Sequence, residues 1–194
     1  MKKLKVFYTA SFYGKDKYQR YYDLVLKRIE ENDVEVIGTE KGNYMSILPS
    51  RVKNRISKEK LLHYEAIRRG ILWCDAAVIE ISHEDFQLGH EATLAIQAKK
   101  PVLCLSINEN FSRKINNKYF YATKYNEYSV GGNIKKFLDE VKKERFSERF
   151  NMFLSKSQLH YLDKISLNMG VNKSEYLRSL LDRDRRNESN CAKK

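Results

Sequence analysis

The chain has 194 residues, of which 42% are hydrophobic and 32% are charged, and its formal net charge at pH 7 is +12. This length fits one medium domain with a small appended module. No apolar run approaches the roughly 18 residues that cross a bilayer, and the charged start leads into a strand rather than a signal peptide, so we expect a cytoplasmic protein without membrane contact. The positive charge favours phosphate-bearing ligands or nucleic acid in general.

Cysteine and histidine usage argues against a metal centre and against a disulfide framework. The cysteines form no CxxC pair, and the histidines lack the spacing of metal ligands. We therefore expect free thiols, no metal and no cofactor. The residues concerned are Cys74, Cys104 and Cys191, with His63, His83, His90 and His160.

The first part of the chain predicts two strands around one helix. Residues 4–10 form a β-rich run that ends at small residues, and the loop after it lets a ligand approach the backbone closely. Apolar residues at helical spacing predict a helix over 16–31 with Asp16 as N-cap, and residues 34–38 predict a short strand.

Residues 39–55 have no clean period, and a connection of this length is usually functional or mobile. We interpret it as a candidate substrate lid, with solvated surface as an equal alternative. Its candidate contacts are Lys41, Tyr44, Arg51 and Lys53. Ser57 then begins a predicted helix, whose expected apolar stripe contains Leu61, Tyr64, Ala66, Ile67 and Ile71.

The stretch from Trp73 to Leu105 is the centre of the prediction. It divides into a buried strand (76–81), a polar loop (82–89), a helix (90–98) and a second buried strand (102–105), which together make a βαβ unit. Glu91 falls in the first turn of the predicted helix, where the helix dipole favours an ionised carboxylate. An acid at this place is also ordinary helix capping, so spacing alone does not identify a catalytic residue.

The remaining chain completes an α/β domain and adds a second module. A short strand is expected at 119–122 or 125–128, and a helix at 133–143. The prediction for residues 1–145 is a flavodoxin-like, doubly wound, five-stranded parallel sheet with strand order 2-1-3-4-5. Residues 146–186 predict a strand at 150–154, a helix from Ser155 to Gly170 and a helix capped by Asn172, and 187–194 is expected to be a flexible basic tail.

Three separate pieces of the first domain resemble the nucleoside 2-deoxyribosyltransferase family and its relatives, the 2-deoxynucleoside 5-phosphate N-hydrolases. The pieces are Cys74-Asp75 before AAVIEIS, Gly89-His90-Glu91 after the loop, and VFYTASFYG at residues 6–14. They agree with the family in order and spacing and span most of residues 4–106.

The resemblance implies an N-glycosidic reaction on a nucleoside or nucleotide. In the family a glutamate attacks the anomeric carbon of the 2-deoxyribosyl group, and here that residue is Glu91. Asp85 matches the acid that contacts and protonates the base, although a solvent-facing loop carboxylate is the alternative. The other implied substrate-binding residues are Phe7, Tyr8, Ser11, Gly14, Glu65, Gly89 and His90.

Two positions depart from the family pattern. Phe7 stands where many relatives have a tyrosine that hydrogen-bonds the nucleophile, and Tyr8 beside it points to the other face of the strand. Relatives also carry an aspartate in the helix before Asp75, whereas here Ile67 lies at that spacing and Glu65 lies two residues away.

The second module resembles a ribbon-helix-helix unit. Such a unit cannot bury its apolar face alone, so the resemblance implies a homodimer or a higher even oligomer. In DNA-binding members the ribbon reads base edges and the second helix holds a phosphate. The corresponding residues are Arg149, Asn151 and Phe153 on the ribbon, with Lys173 and Ser174 on the helix. A ribbon that only dimerises an enzyme is the alternative.

The sequence leaves three functions open. The first is N-glycosidic cleavage or base exchange on a deoxynucleoside or nucleotide. The second is a DNA-binding regulator whose large domain binds a nucleotide without turnover. The third is glycohydrolysis of another nucleotide, such as a dinucleotide cofactor.

Overall fold

The structure is a computed structural model that describes residues 3–56, 58–144 and 151–191. The chain divides into two compact units, Met1–Glu148 and Arg149–Lys194. Within the described ranges, no helix combines the length and apolar character required to cross a bilayer.

The first unit is built on a parallel sheet that has five strands in the described residues. The strand order is β2-β1-β3-β4-β5, and every neighbouring pair is parallel. This confirms the predicted fold class and strand order. The strands are β1 (Leu4–Ala10), β2 (Val34–Gly38), β3 (Ala76–Glu80), β4 (Val102–Ser106) and β5 (Phe120–Lys124).

Helices cover both faces of this sheet, and several begin at other residues than the sequence predicts. Gly14 rather than Asp16 is the N-cap of the first helix. The segment 39–55, expected to lack regular structure, contains a 3-10 turn at Tyr44–Ile47 and a short helix. Ser57, the predicted helix start, lies outside the described residues. The helices are α1 (Lys15–Glu30), α2 (Ser50–Arg55), α3 (Glu59–Trp73), α4 (Phe86–Gln97) and α5 (Val130–Glu144).

The alternation of side chains along the strands separates two cores. Val6, Tyr8 and Val78 pack with α1 and α5 on one face of the sheet, while Phe7 and Ile79 pack with α3 and α4 on the other. Both faces are covered, which explains why the strands are almost continuously apolar. The stripe expected on α3 is correct for Ala66, Ile67 and Ile71, which are buried, but Leu61 and Tyr64 are 54% and 43% exposed.

The start of α4 corrects the prediction at the centre of the chain. The helix begins at Phe86 rather than at residue 90, because Asp85 caps it by accepting a hydrogen bond from the backbone N–H of Gln87 at 2.8 Å. Glu91 therefore lies in the second turn. The expectation that Glu91 occupies the first turn, close to the positive end of the helix dipole, is wrong.

Two buried thiols lie in this unit. Cys74 follows α3 directly and Cys104 lies in β4, and both are free. Burial raises the pKa of each thiol to about 12.

The described part of the second unit contains two capped helices, as predicted, but residues 151–154 of the predicted strand do not form one, and residue 150 lies outside the described residues. Residues 151–155 adopt neither helix nor strand, because a strand needs a hydrogen-bonded neighbour and the predicted partner is a second copy of the chain. Ser155 and Gln158 form a capping box at the first helix, and Gly170 follows it with φ of 65°. The helices are α6 (Lys156–Asn168) and α7 (Lys173–Cys191), so the segment expected to be a tail from residue 187 is helical through Cys191.

Gly70 lets α3 pack closely on the sheet, and its substitution tests that contact. A Cβ added there would lie 2.2 Å from Cε2 of the buried Phe7. We expect Gly70→Ala to lower the free energy of unfolding by about 1–3 kcal/mol through overpacking. Gly132→Ala in α5 is the matched control, since its Cβ would meet nothing within 4 Å and alanine stabilises a helix by up to about 1 kcal/mol. Urea unfolding compares the two, and equal midpoints would contradict the packing argument.

Candidate functional site

The candidate site lies at the carboxyl ends of β1 and β3. The helix after β1 packs on one face of the sheet and the helix after β3 on the other, so the chain diverges between these two strands. Ligands of open α/β sheets bind at such a switch point. A cavity of about 140 Å³ is present there, which we call the switch-point cleft. Its polar lining includes Thr9, Ser11, Lys15, Glu40, Tyr44, His63, Asp85 and Gln87.

Asp85 joins the two sides of the cleft. Its Oδ2 accepts a hydrogen bond from the Ser11 hydroxyl at 2.9 Å, and its Oδ1 caps α4. The carboxylate therefore has one protein partner on each oxygen and further lone pairs for a ligand. The structure brings together Asp85 and Ser11, two of the predicted site residues.

Glu91 lies directly behind the cleft. Its side chain is 1% exposed, and Oε1 accepts a hydrogen bond of 2.9 Å from the side-chain amide of Gln87, which lines the cleft. Oε2 is buried and has no hydrogen-bond partner among the described residues. A buried carboxylate oxygen without a donor is costly, and such groups are concentrated at functional sites.

The electrostatics of Glu91 differ from the sequence-based expectation. Desolvation raises the pKa of Glu91 to about 7, the charge of Asp85 adds to the increase, and the Gln87 amide and Thr9 hydroxyl oppose it. The helix dipole was expected to favour the ionised form. Burial dominates because Glu91 is one turn further along α4 than predicted, behind the cleft rather than at the helix end.

The contribution of α3 to the cleft is a histidine rather than a carboxylate. Ile67 is buried in the core beside Phe7, and Glu65 is engaged by Arg68 at 2.9 Å and by Arg69 at 2.5 Å. The structure does not bring Glu65 to the cleft. His63 lines it instead, and its pKa is lowered by burial, with the charge of Glu59 acting in the opposite direction.

Several other predicted contacts have structural partners away from the cleft. The Tyr8 hydroxyl donates to the backbone carbonyl of Tyr22 at 2.9 Å on the opposite face of the sheet. His90 stacks on Tyr64, with ring centroids 5.8 Å apart. Gly14 has no room for a side chain, since a Cβ would lie 2.5 Å from that of His83.

Gly89 and Phe7 also lie outside the lining of the switch-point cleft. Gly89 lines a neighbouring, mostly apolar cavity of about 200 Å³ between α4 and the β4–β5 side of the sheet, which shares Asp85 and Leu88 with the cleft. The side chain of Phe7 is fully buried in the core under α3 and α4. Phe7 therefore supports the site through packing.

Two buried acids were missed by the sequence analysis. Glu40, whose side chain is 2% exposed, lines the cleft and pairs with Lys15 at 3.2 Å. Glu80 ends β3 and accepts hydrogen bonds from Ser82 and from the Tyr125 hydroxyl, and burial raises the pKa of Glu80 to about 7. The signal for both was an acid at or just after the carboxyl end of a strand.

In the second unit, the described residues include four of the five predicted DNA contacts. Lys173 and Ser174 line an open hollow at the start of α7, and Lys173 pairs with Asp163 of α6. Asn151 is exposed and Phe153 is fully exposed. Arg149 lies outside the described residues. In the part of the chain that the structure describes, no group of three or more His, Cys, Asp or Glu side chains is arranged to hold a metal ion.

Comparisons with known proteins find similar folds among solved structures but no match by sequence. No family model matches the chain, and no curated protein matches its sequence. Among solved structures, the chain is similar to the Clostridium botulinum CMP N-glycosidase BcmB, with 16% identity and a TM-score of 0.46 over 68% of this chain and 98% of that chain. A likeness of this size does not assign a function.

The raised pKa of Glu91 predicts how stability depends on pH. Between pH 4.5 and about 7 the folded chain retains a proton on Glu91 that the unfolded chain has released, so the free energy of unfolding falls as pH rises through this window. Glu91→Gln removes this term. We expect the variant to gain up to about 3 kcal/mol relative to the wild type between pH 4.5 and pH 8. Urea unfolding across this range measures the difference in free energy of unfolding between the variant and the wild type. Both proteins contain Glu80, so the similar pH dependence that Glu80 causes cancels in this difference. A difference independent of pH would show that Glu91 titrates normally.

Proposed function

We propose that the first unit cleaves the N-glycosidic bond of a 2-deoxynucleoside or nucleotide, with Glu91 as the nucleophile at the anomeric carbon. The observation that carries this proposal is a buried carboxyl with an unpartnered oxygen behind the switch-point cleft. It is the same residue at which the Gly89-His90-Glu91 motif resembles the catalytic glutamate of the deoxyribosyltransferase family.

The chemistry explains why a buried acid suits this reaction. Cleavage of a glycosidic bond passes through an oxocarbenium-like transition state that carries positive charge at the anomeric carbon. A carboxylate in a water-poor site stabilises that charge far more strongly than one in bulk water. Because Gln87 stands between Glu91 and the cleft, the substrate must displace or share its amide to reach the carboxylate.

Asp85 is the second acid of the proposed mechanism. It is fixed by its bonds to Ser11 and to the start of α4, and it lines the cleft next to the residues that surround Glu91. We infer that it contacts the base and supplies the proton that the departing base needs. Glu91 and Asp85 then share one proton, which lies on Asp85 when the ionised Glu91 attacks the anomeric carbon. Water then resolves the glycosyl intermediate in a hydrolase, and a second base resolves it in a transferase.

Exposed aromatic side chains at the cleft and beside it favour a planar ligand. Phe12 lines the cleft and is 74% exposed, and its neighbour Tyr13 is 78% exposed. Phe86, the residue after Asp85, is 92% exposed. Exposed aromatic faces stack on nucleobases, with a gain of about 1–3 kcal/mol for each stacked base. The cavity of about 140 Å³ is smaller than the usual ~300–1,000 Å³ of ligand sites, so these side chains are inferred to hold part of the substrate outside it.

Base release from a substrate panel tests the proposed activity. The panel contains deoxynucleosides, deoxynucleoside monophosphates, the corresponding ribonucleotides and NAD, with free base detected by chromatography. We expect Glu91→Gln to reduce base release at least about 10³-fold and Asp85→Asn to reduce it by about 10²–10⁴-fold. Glu65→Gln is the matched control, because Glu65 is an acid held by arginines away from the cleft, and it is expected to retain activity. Base release that persists in Glu91→Gln would refute the assignment of Glu91 as the nucleophile.

We propose for the second unit that it pairs two chains through residues 150–154 in a ribbon-helix-helix arrangement. The observation in favour is the exposed apolar surface of this unit: Leu167 and Leu181 are 82% and 71% exposed, and Met169 is 57% exposed. A soluble module rarely leaves so much apolar surface uncovered without a partner. DNA binding by such a dimer is the second candidate function, favoured by the basic hollow that contains Lys173 and Arg178.

Opposite faces of the expected ribbon provide a test of the pairing. Met152 belongs to the predicted inward face and is 49% exposed in the single chain, whereas Asn151 is predicted to face outward. Met152→Asp is expected to convert a dimer into a monomer in sedimentation experiments, and Asn151→Asp, which adds the same charge, is expected to leave the dimer intact. A wild-type chain that is monomeric at micromolar concentration would exclude the ribbon. Affinity of the dimer for duplex DNA, measured at several salt concentrations, then tests the regulator alternative.

A further inference from the structure

A chain of hydrogen bonds connects the segment after β2 with Glu91. The Tyr44 hydroxyl lies 3.0 Å from Nδ1 of His63, and Nε2 of His63 lies 3.3 Å from the amide nitrogen of Gln87. The same amide nitrogen donates to Oε1 of Glu91 at 2.9 Å. Tyr44, His63 and Gln87 all line the switch-point cleft.

The chemistry of the amide fixes the roles along this chain. An amide nitrogen only donates, so both of its neighbours must accept: Glu91 through a carboxylate oxygen and His63 through an unprotonated Nε2. The proton of a neutral His63 is then on Nδ1, directed at the Tyr44 hydroxyl. If the Gln87 side-chain amide were flipped by 180°, its oxygen would face the Glu91 carboxyl group. That arrangement is favourable only when Glu91 carries a proton that it can donate.

We propose that His63 is a positioning residue for Glu91, holding the Gln87 side-chain amide in the orientation that donates a hydrogen bond to the Glu91 carboxylate. Any effect of His63 on catalysis rests on the proposed function, whereas its effect on the orientation of Gln87 does not. His63 acts through Gln87 and is not assigned a contact with the reacting atoms.

The surroundings of His63 and Glu91 favour this arrangement. His63 is edge-on to Tyr44, with ring centroids 5.4 Å apart, so its ring plane is fixed from the side of the 3-10 turn. Burial lowers the pKa of His63, which keeps the imidazole neutral and Nε2 available as an acceptor, and Glu59 of α3 acts in the opposite direction. The groups that act on Glu91 are Gln87 from α4, Asp85 that caps α4, and Thr9 from β1.

The titration of the Glu91 carboxyl tests the proposal without a substrate. Carbon-13 NMR of protein labelled at the glutamate carboxyl carbons follows each acid with pH, and Glu91→Gln identifies the Glu91 resonance. His63→Phe retains a ring beside Tyr44 but removes the acceptor for Gln87, and we expect the pKa of Glu91 to rise by roughly 0.5 to 1 pH unit. Gln87→Met, which removes the donor itself, is expected to give the same rise.

Two further variants separate positioning from a general structural effect. His63→Gln places an amide oxygen where it can accept from Gln87 and is expected to restore the wild-type titration. The double variant His63→Phe with Gln87→Met is expected to match Gln87→Met alone. If His63 acts only through Gln87, the effects of the two substitutions on the pKa of Glu91 do not add. His63→Leu replaces His63→Phe if the phenylalanine variant does not fold. An unchanged Glu91 titration in the His63 variant, or effects that add in the double variant, would overturn the proposal.

Kinetics distinguish failure of this inference from failure of the proposed activity. Where base release is present, His63→Phe is expected to reduce kcat about 10-fold with little change in KM, and to move the acidic limb of the pH profile upward with the carboxyl titration. Base release absent from the whole panel would refute the proposed function and leave the NMR result standing. A normal pH profile in His63→Phe, with activity present, would refute the positioning role alone.

Discussion

The parallel pairing of β1 with β3 is the constraint on which the site depends. Val6 to Ala10 of β1 pair with Ala76 to Glu80 of β3, so both strands end at the same edge of the sheet. The helices that follow them pack on opposite faces, and the backbone therefore cannot close the gap between the strand ends. Side chains close it instead, and the hydrogen bond from Ser11 to Asp85 is the direct connection across it.

Two buried glutamates illustrate how similar desolvation produces different chemical character. Glu80 and Glu91 both have a pKa raised to about 7 by burial. Glu80 accepts bonds from the backbone and hydroxyl of Ser82 and from Tyr125, and its environment is that of a structural acid that joins β3 to the loop after it and to the residue after β5. Glu91 accepts one hydrogen bond, from the Gln87 amide. The Thr9 hydroxyl acts on it more weakly, and its second oxygen has no hydrogen-bond partner among the described residues. The number of donors, rather than the degree of burial, distinguishes the reactive candidate.

The sheet could be predicted from sequence because its signals are local. Apolar runs of five to seven residues separated by helical periods define a parallel α/β fold, and the strand order follows from the topology of such folds. Helix starts were less predictable. Phe86 to Gly89 reads as a loop because of its polar neighbours and its glycine, yet Asp85 caps a helix there and the cost of Gly89 is offset by the packing of Leu88 and Ala92 on the sheet.

The candidate site residues also differ in whether their signal in the sequence is local. Asp85 and Glu91 could be proposed from sequence because a motif places them in one short segment. Glu40 carried only the general signal of an acid just after a strand. His63 carried none, since it lies in α3 and reaches the cleft only through tertiary packing. The α3 position illustrates the difficulty: the sequence offers Glu65 as the acid nearest the expected spacing, but local pairing with Arg68 and Arg69 turns it away. Sequence spacing does not encode which neighbour a side chain prefers.

The two thiols of the first unit make its breathing motions measurable. Cys74 is fully buried and Cys104 is 3% exposed, and at a pKa of about 12 almost none of either is thiolate near neutral pH. A thiol reagent therefore reaches them only when the surrounding elements separate. Labelling rates at Cys74 report the opening between α3 and β3, while rates at Cys104 report the opening of β4. A difference between the two rates would divide the unit into parts that open independently.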